Sequence, residues 1–565
     1  MNIELKFNKA HALQQQGQLT EAIQAYEQLL VEAPDHIDCL HFLGVALALQ
    51  NDMDKAIACL DRALILNPKD TNIHNNMGNV YKKQHHYAKA ITHYQKALQI
   101  DPHYAQAHNN LAGIYALQNQ YEDALNHYHK ALLTKPDFVV AHYNLGLLLL
   151  KHHELEAAKK QFNNVLALQP QHIDALFYLG VLYLDDNLLD KAENAFQKVI
   201  ALHDSHVFSL TNLGVIALKR KQGQVAIDYF TKALIIDPDH LEARNNIAAT
   251  FIHHDRFENA LMHYDVLLKQ NPQNIEYNYN SGVAQMALGH LAEATQHFEA
   301  ILAQKDDHFS ALTNLAAIKA RLNDKPQAIK LLQRATAANP NDTACRFMLH
   351  ALTGDNKHPE PCSDYVSHLF NNYALNYDQH MQSTLKYTLP QHMVKVLHRQ
   401  GLNRYKNTLD LGCGTGLCGA GLKELSDHLT GVDIAKKMLV QAREKGVYDK
   451  LVEADLIAYL EQNQQTYDLI VAADVLPYFG DMDSLFRLIK SHITPSGLFI
   501  FSTEISAEEP WFLQSSARFC HHPEYIKSLC AQNHLAIHYQ EKIISRQQNH
   551  QDLHVVLYLV APLSG

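Results

Sequence analysis

Apolar residues recur with helical spacing through the first 342 residues, in pairs of stretches separated by a short polar turn such as residues 14–17. The pattern repeats every 34 residues. Proline ends most units, because it lacks an N–H group and clashes with the preceding helical turn. These prolines are Pro34, Pro68, Pro102, Pro136, Pro170, Pro238, Pro272 and Pro340. The pattern predicts ten helix–turn–helix units over residues 3–342.

Two columns of the repeat predict how the paired helices pack. One is always small: Ala10, Gly44, Gly78, Ala112, Gly146, Gly180, Gly214, Ala248, Gly282 and Ala316. The other is large and apolar: Tyr26, Leu60, Tyr94, Tyr128, Phe162, Phe196, Phe230, Tyr264, Phe298 and Leu332. This pattern resembles the tetratricopeptide repeat (TPR), which implies an all-α solenoid. A further helix near residues 342–352 would cover the apolar end of the stack.

A third column is asparagine in eight of the ten repeats, and only Phe42 and Tyr178 interrupt it. Asn costs roughly half a kcal/mol relative to Ala inside a helix, so a compensating role is expected. The repeats resemble those of O-GlcNAc transferase, where such a ladder lines the concave face and holds peptides. Alternatively, the amides only tie neighbouring repeats together. The predicted peptide-binding residues are Asn8, Asn76, Asn110, Asn144, Asn212, Asn246, Asn280 and Asn314.

The 34-residue pattern ends near residue 353, and residues 354–363 contain Gly, two Pro and several polar residues typical of a linker. Strand-like runs then alternate with helical segments, which predicts a parallel sheet covered by helices. The last two runs predict an antiparallel hairpin. The strand predictions are 408–411, 429–433, 450–453, 467–472, 497–502, 535–544 and 554–560. We therefore expect a TPR domain at 1–354, a linker at 355–363 and an α/β domain at 364–565.

The most informative motif of the second domain is the glycine-rich string LDLGCGTG, residues 409–416. Glycines at this turn let the backbone approach a ligand, and the following helix N-terminus offers hydrogen-bond donors. Residues 414–419 also satisfy the dinucleotide pattern G-x-G-x-x-G. Its first glycine should end the strand, but Gly412 holds that place, so the register weakens the dinucleotide alternative.

The string and the motifs after it resemble class I S-adenosylmethionine (SAM) methyltransferases, which have a Rossmann-like fold. The resemblance implies that Asp410 serves the methionine ammonium, Asp433 the ribose hydroxyls and Asp455 the adenine amino group. Asp474 follows the fourth strand, at the junction of cofactor and acceptor. The predicted cofactor-binding residues are Asp410, Gly412, Gly414, Gly416, Asp433, Ile434, Asp455, Leu456 and Asp474.

A narrower resemblance involves the segment before the sheet. Residues 370–374 (FNNYA), Tyr377-Asp378 and residues 385–390 are similar to predicted bacterial TPR-containing methyltransferases. That family usually has FDxYA at the first of these motifs, so Asn371 departs from it and its role stays open. The resemblance implies methyl transfer but no particular acceptor.

Candidates for an acid–base role in methyl transfer lie at or near the C-terminal ends of strands, where ligands bind in open α/β sheets. They are Asp474, Tyr478, Glu504 and His521. A base is needed only when the acceptor holds a proton at neutral pH. Residues 505–518, which include Trp511, form either a lid or a packed connection.

Composition changes this interpretation little. The net charge of −11 gives no general surface for nucleic acid or anionic membranes, and no apolar run is long enough to span a bilayer. The eight cysteines contain no CxxC pair, which favours reduced thiols in the cytoplasm, and no zinc motif occurs. We expect a cytoplasmic SAM-dependent methyltransferase whose repeats recruit a protein or peptide. The alternatives are a small-molecule methyltransferase whose repeats serve assembly only, and a TPR scaffold with an inactive SAM domain.

Overall fold

A computed structural model describes residues 3–355, 359–374, 377–399, 404–548 and 551–563 of the chain. The chain divides into two compact units, Met1–Thr250 and Phe251–Gly565. The first unit consists of repeats, and the second contains the last repeats together with the α/β part. The predicted domain limits at 354 and 364 stay predictions, and residues 356–358 of the predicted linker lie outside the described residues.

Residues 3–338, all of them described, form twenty helices in ten pairs, as the 34-residue period predicts. Each pair has one helix of 13 residues and one of 14 residues. Named α1–α20, they span Ile3–Gln15, Leu19–Glu32, Ile37–Leu49, Met53–Leu66, Thr71–Lys83, Tyr87–Ile100, Ala105–Leu117, Tyr121–Thr134, Val139–Lys151, Leu155–Leu168, Ile173–Asp185, Leu189–Leu202, Val207–Lys219, Gly223–Ile236, Leu241–His253, Phe257–Gln270, Ile275–Ala287, Leu291–Gln304, Phe309–Arg321 and Lys325–Ala338.

The small and large columns meet inside each helix pair. A Cβ atom built on Gly180 would lie 2.7 Å from the ring of Phe196, and one on Gly146 would lie 2.8 Å from the ring of Phe162. Both rings are fully buried. The glycine therefore makes room for the aromatic side chain sixteen residues later, which is how the two columns hold the pair together.

The turn between the helices of each pair contains one residue with left-handed backbone. Two of these residues are glycine and seven of the other eight are Asn, Asp or His, which adopt this conformation more readily than other side chains. The residues are Gly17, Asn51, His85, Asn119, His153, Asn187, Lys221, Asp255, Gly289 and Asn323, with φ between 56° and 83°. In the adjacent histidine pairs 85–86 and 152–153, one histidine of each pair, His85 or His153, occupies this turn position.

Other histidines are buried between helices. The Nδ1 atoms of His74 and His93 lie 3.2 Å apart, and those of His108 and His127 lie 2.8 Å apart. Burial and the neighbouring imidazole lower the pKa of His93 and of His127 to about 4. One repeat further on, Gln161 takes the place of the second histidine and bonds His142. The pairs are therefore neutral packing elements at pH 7.

The α/β part continues with helices α21–α29, a π-helical turn at His380–Thr384 and strands β1–β9. The helices span Thr343–Thr353, Ser363–Tyr373, Tyr377–Gln379, Leu389–Arg399, Gly419–Glu424, Lys436–Glu444, Leu456–Gln462, Asp483–His492 and Pro523–Gln532. The strands span Tyr405–Leu411, Ser426–Asp433, Lys450–Glu453, Tyr467–Ala472, Ile493–Ile505, Trp511–Leu513, Phe519–His521, Leu535–Gln548 and Gln551–Pro562.

The strands form one mixed sheet. Strands β3, β2, β1, β4 and β5 are parallel and follow in that order. Strand β9 pairs antiparallel with β5 and with β8, so the predicted C-terminal hairpin is present at the sheet edge. The predicted fold class, a helical TPR array followed by an α/β domain, is confirmed.

Strands β6 and β7 were not predicted from the sequence. They form a short hairpin that extends the sheet beyond the end of β5. Trp511 packs against Phe519 with ring centroids 5.7 Å apart, and Phe519 belongs to a buried cluster with Phe347 and Ala351 of α21. Of the two alternatives for residues 505–518, the structure has the packed connection. None of the helices within the described ranges has the length and apolar character that crossing a membrane requires.

Candidate functional site

The glycine loop follows β1 directly. Gly412, Gly414 and Gly416 all have positive φ, at 66°, 55° and 84°. A Cβ atom on Gly412 would clash with Val475, whereas one on Gly414 would meet nothing within 4 Å. The loop is therefore packed at its first glycine and open at its second.

The open side of the loop faces a cavity of about 730 Å³, part of which is open to solvent. The cavity lies beyond the C-terminal ends of β1, β2, β3 and β4. It gathers most of the predicted cofactor-binding residues: Gly412, Gly414, Asp433, Ile434, Asp455, Leu456 and Asp474. Asp410 and Gly416 are not among the described residues that line it.

Asp433 ends β2 and holds the glycine loop in place. Its Oδ2 accepts a hydrogen bond from the Gly414 N–H at 2.9 Å, and its Oδ1 accepts one from the Ala435 N–H at 2.8 Å. Burial raises the pKa of Asp433, and backbone N–H donors, among them those of Ala435 and Gly414, partly offset this effect. Each carboxylate oxygen keeps a lone pair, so Asp433 can still accept from a ligand.

Asp410 and Gly416 both lie against Tyr448 instead. The Tyr448 hydroxyl donates to Asp410 Oδ2 at 2.8 Å, and a Cβ atom on Gly416 would lie 2.9 Å from the Tyr448 ring. Asp410 is 1% exposed, and burial raises its pKa to about 7. These two residues therefore support the loop from behind.

Asp455 has two structural contacts in addition to its place in the cavity. It caps α27, because its Oδ1 accepts from the N–H groups of Ile457 at 3.0 Å and Ala458 at 3.2 Å. Its Oδ2 accepts from the Ser363 hydroxyl at 2.9 Å. Ser363 belongs to the segment predicted as linker, so that segment contributes to the cavity wall.

Several lining residues were missed from the sequence. Pro361, Cys362 and Ser363 come from the end of the predicted linker, and Val366, Phe370 and Tyr377 come from α22 and α23. The family resemblance had singled out Phe370 and Tyr377 without a role. Their aromatic character before a glycine loop was the available signal, whereas residues 361–363 offered none.

Three of the four catalytic candidates belong to one buried cluster of charges. Arg518 donates from Nε to Glu504 at 2.6 Å, from Nη1 to the Tyr478 hydroxyl at 2.8 Å and from Nη2 to Asp474. Arg546 donates from Nη1 to the other oxygen of Asp474. Burial alone would raise the pKa of Asp474, but the two guanidinium groups outweigh it and hold the pKa below its ordinary value. Asp474 is therefore a weak base.

His521, the fourth candidate, lies on β7 and is 1% exposed. Its Nε2–H donates to the carbonyl oxygens of Phe479 at 2.9 Å and Gly480 at 3.2 Å. Burial lowers its pKa to about 4. In the part of the chain that the structure describes, His521 is not among the residues that line the cavity beside Gly414. Its contacts fix the chain after Tyr478.

The asparagine column divides into two kinds of position. Asn110 donates to Asn75 and Asn79 of the preceding repeat at 3.0 Å, and Asn144 donates to Asn109 at 3.2 Å. Asn76 and Asn280 likewise contact the preceding repeat, through His41 and Tyr264. Asn212 instead bonds the Phe208 carbonyl of its own helix. Among the described residues, no side-chain hydrogen bond joins Asn8, Asn246 or Asn314 to another repeat.

Comparison with protein families identifies both parts of the chain. Residues 409–499 match the model described as a methyltransferase domain. TPR models match residues 13–79, 70–132, 113–152, 143–207, 182–241 and 285–352. The chain carries tetratricopeptide repeats followed by a methyltransferase domain. The match of the methyltransferase domain includes the glycine loop, Asp433, Asp455 and Asp474, and it ends before Glu504 and both arginines of the buried cluster.

Several solved structures are similar to part of the chain. YrrB, described as a TPR protein with an unusual peptide-binding site, is 25% identical over 33% of this chain and 95% of its own, with a TM-score of 0.30. PilF of Pseudomonas aeruginosa is 22% identical over 37% of this chain and 95% of its own, with a TM-score of 0.34. MamA is 25% identical over 29% of this chain and 95% of its own, with a TM-score of 0.28. No curated protein matches the chain.

Proposed function

We propose that the protein is a SAM-dependent methyltransferase of class I and that the cavity beside Gly414 holds SAM. The main support is that an open glycine loop and the Asp433 carboxylate face one cavity beyond the C-terminal strand ends, where ligands bind in such sheets. Asp433 would accept from the ribose hydroxyls, and Asp455 would accept from the adenine amino group with its remaining lone pairs. Ile434, Met438 and Leu456 would supply apolar surface for the adenine ring.

SAM supplies the methyl group on a sulfonium that needs no further activation. The residues of the chain bind and orient it, and the segment of α22 and α23 covers the cavity against water. Asp474, with Arg518 and Arg546 on its two oxygens, contributes a fixed charge at the acceptor side instead of taking a proton. Tyr478 keeps its proton, because burial raises its pKa.

We further propose that the repeats recruit a protein or peptide, as TPRs generally do. Asn212 and Asn246 support this idea best, because their amides are not used between repeats. The contacts of Asn76, Asn110 and Asn144 support the alternative that the ladder joins repeats. A small-molecule acceptor with repeats for assembly remains the second candidate. An inactive scaffold is disfavoured, because the loop, Asp433 and Asp455 are intact.

The same proposal assigns the protein to the cytoplasm. All eight cysteines are free thiols, seven of them buried, as expected in a reducing compartment. Fractionation of the native host would test this assignment directly, and recovery in an oxidising compartment would contradict it.

The cofactor proposal is tested with Gly414→Ala and the matched variant Gly446→Ala in the full chain. Both glycines have positive φ, at 55° and 64°, and a Cβ atom on either meets nothing within 4 Å, but only Gly414 lines the cavity. The backbone strain of the two variants is therefore comparable. Calorimetry should show S-adenosylhomocysteine binding to wild type and Gly446→Ala, and at least ten-fold weaker binding to Gly414→Ala. Binding of NADH without a response to S-adenosylhomocysteine would instead favour the dinucleotide alternative.

The acceptor is sought by adding SAM labelled with tritium in its methyl group to a lysate of the host with the purified chain. The labelled products are separated into protein, nucleic acid and small molecules. The recruitment proposal predicts labelled protein, and it predicts less label with Asn212→Ala/Asn246→Ala. Label confined to small molecules would support the second candidate.

A further inference from the structure

A second cavity adjoins the cofactor cavity. Phe370, Tyr377, Asp474 and Tyr478 line both, so these four side chains form the wall between them. Methyl transfer forms the bond from the acceptor atom to the methyl carbon while the bond from that carbon to sulfur breaks, so the acceptor has to reach the methyl group from a space next to the cofactor cavity. The second cavity thus occupies the place of the acceptor site, and its lining indicates what the acceptor carries.

One third of the residues that line this second cavity are phenylalanine or tyrosine. The ring of Phe370 lies 5.4 Å from that of Tyr478 and 6.1 Å from that of Tyr377, and Tyr373 lies 5.3 Å from Tyr377. Tyr365 lines the same space. Rings at these distances offer faces and edges to a flat or apolar group. The cavity therefore suits an acceptor with a planar or apolar body.

One charged side chain of the lining, that of Arg546, has hydrogen-bond donors without a partner. Arg546 makes a hydrogen bond from Nη1 to Asp474, but its Nε has no partner and its Nη2 lies 3.9 Å from Glu504, beyond hydrogen-bonding distance. The Arg546 side chain is 8% exposed. Arg518, in contrast, uses all three of its nitrogens. Among the described residues, Arg546 is thus a buried cation with unused donors at the cavity.

The acidic groups nearby are already occupied. Each oxygen of Asp474 accepts from an arginine, and Glu504 accepts from Arg518. Asp474 and Glu504 already balance the charges of Arg518 and Arg546, so an ammonium or guanidinium entering this cavity would meet no carboxylate without an arginine partner. Burial of a cation without a partner is unfavourable. An incoming carboxylate would instead complete the hydrogen bonding of Arg546.

We propose that the second cavity binds a methyl acceptor that carries a carboxylate, received by Arg546, with its planar or apolar part among the tyrosines. This inference rests on the proposed function, since it uses the methyl donor in the adjoining cavity. The carboxylate can belong to a free organic acid or to the C-terminus of a peptide, and both present the same group. The same argument disfavours acceptors that enter as cations, such as the charged side chains of lysine and arginine.

The first experiment needs no mutation and uses the full chain with bound S-adenosylhomocysteine. Benzoate, benzamide and benzamidinium have nearly one shape and carry charges of −1, 0 and +1. Titrations followed by ligand-observed NMR should give benzoate a dissociation constant at least ten-fold below that of benzamidinium, with benzamide between them. Equal affinities, no binding of any probe, or tighter binding of benzamidinium would overturn the proposal.

Two peptide probes distinguish the sources of the carboxylate. Ala-Ala-Phe with a free C-terminus is compared with its C-terminal amide under the same conditions. If benzoate binds more tightly than benzamide, or the free peptide more tightly than its amide, the proposal is supported and the preferred probe identifies the source of the carboxylate. If neither carboxylate binds more tightly than its uncharged partner, the proposal is overturned.

Two variants that introduce opposite charges at the edge of the second cavity provide a matched pair. Leu369 lines the cavity and is 37% exposed, so its substitution leaves the buried cluster intact. Leu369→Asp should weaken benzoate binding several-fold and Leu369→Lys should not, with the opposite order for benzamidinium. Val440→Asp, on an exposed site of α26 outside both cavities, is the control and should change neither. Identical affinities in the two Leu369 variants would contradict the site.

The two proposals fail separately in these measurements. A chain that does not bind S-adenosylhomocysteine refutes the proposed function. A chain that binds S-adenosylhomocysteine but shows no preference for carboxylate probes refutes only the acceptor class.

Discussion

Two explanations of the asparagine column can be tested within the first unit. Either the amides join neighbouring repeats, or they are available to a binding partner. Asn110→Ala/Asn144→Ala removes amides that bond the preceding repeat, whereas Asn212→Ala/Asn246→Ala removes amides that do not. All four residues lie in the first unit, at the same position of the repeat, and all are half-buried. The two double variants therefore differ mainly in the contacts they remove.

The expected magnitudes follow from those contacts. The first pair makes three hydrogen bonds between repeats, each contributing about 0.5–1.5 kcal/mol. Alanine restores roughly half a kcal/mol of helix propensity at each position. The variant should therefore lose roughly 0.5–3.5 kcal/mol of local stability, towards the upper end because the partners Asn75 and Asn109 are buried. The second pair loses one bond within a helix, so its stability should change by less than about 0.5 kcal/mol.

Hydrogen exchange of the full chain, read by mass spectrometry, is the suitable assay because it reports opening of individual helices. Protection of peptides from α7 and α9 should fall in Asn110→Ala/Asn144→Ala. Protection of peptides from α13 and α15 should stay unchanged in the other variant. Equal losses of protection in the two double variants would refute the reasoning from contacts. Unchanged protection of α7 in Asn110→Ala/Asn144→Ala would refute it as well.

Two further predictions concern pH. The variant His93→Gln/His127→Gln copies the pairing of His142 with Gln161. Because the pKa of both histidines in the folded chain, about 4, lies below the ordinary value, wild-type stability should fall as the pH drops from about 6.5 to 4, and the urea midpoint of the variant should fall less. Urea midpoints that change in parallel over this range would contradict the low pKa values. Asp410 has a pKa of about 7 in the folded chain, above its ordinary value, so stability should fall as the pH rises from about 4 to 7. Relative to wild type, Asp410→Asn should therefore be more stable at pH 8 than at pH 5. An equal difference in urea midpoint between variant and wild type at the two pH values would contradict the raised pKa.

The fold was largely predictable from the sequence, because its main determinants are local and periodic. The small and large columns stand sixteen residues apart and recur ten times, so the sequence alone pairs Gly180 with Phe196. The five parallel strands were found because each follows or precedes a helix-forming segment. Strands β6 and β7 have three residues each, too few for a pattern of alternating residues to show.

The candidate site was predictable on the side of the glycine loop and much less so on the acceptor side. Gly414 and Asp433 belong to a motif with a fixed spacing and were identified by it. Asp474 and Arg546 are 72 residues apart, and nothing in the sequence indicates that the arginine holds the carboxylate. Histidine has an ordinary pKa that suits a base, but burial lowers the pKa of His521 to about 4, an effect that depends on the folded surroundings.

The cavity wall formed by residues 361–363 limits where this chain can be divided. A fragment that begins at residue 364 keeps every strand of the sheet, yet it loses three residues that line the cavity beside Gly414, including the hydroxyl group that contacts Asp455. An exchange of repeats between related chains would have to leave the polypeptide from residue 361 onwards in place. It would also have to keep the ion pair between Asp255, in a repeat turn, and Lys437 of α26, and the packing of Phe347 against Phe519. The junction is therefore constrained on both sides, by the cavity on one and by these contacts on the other.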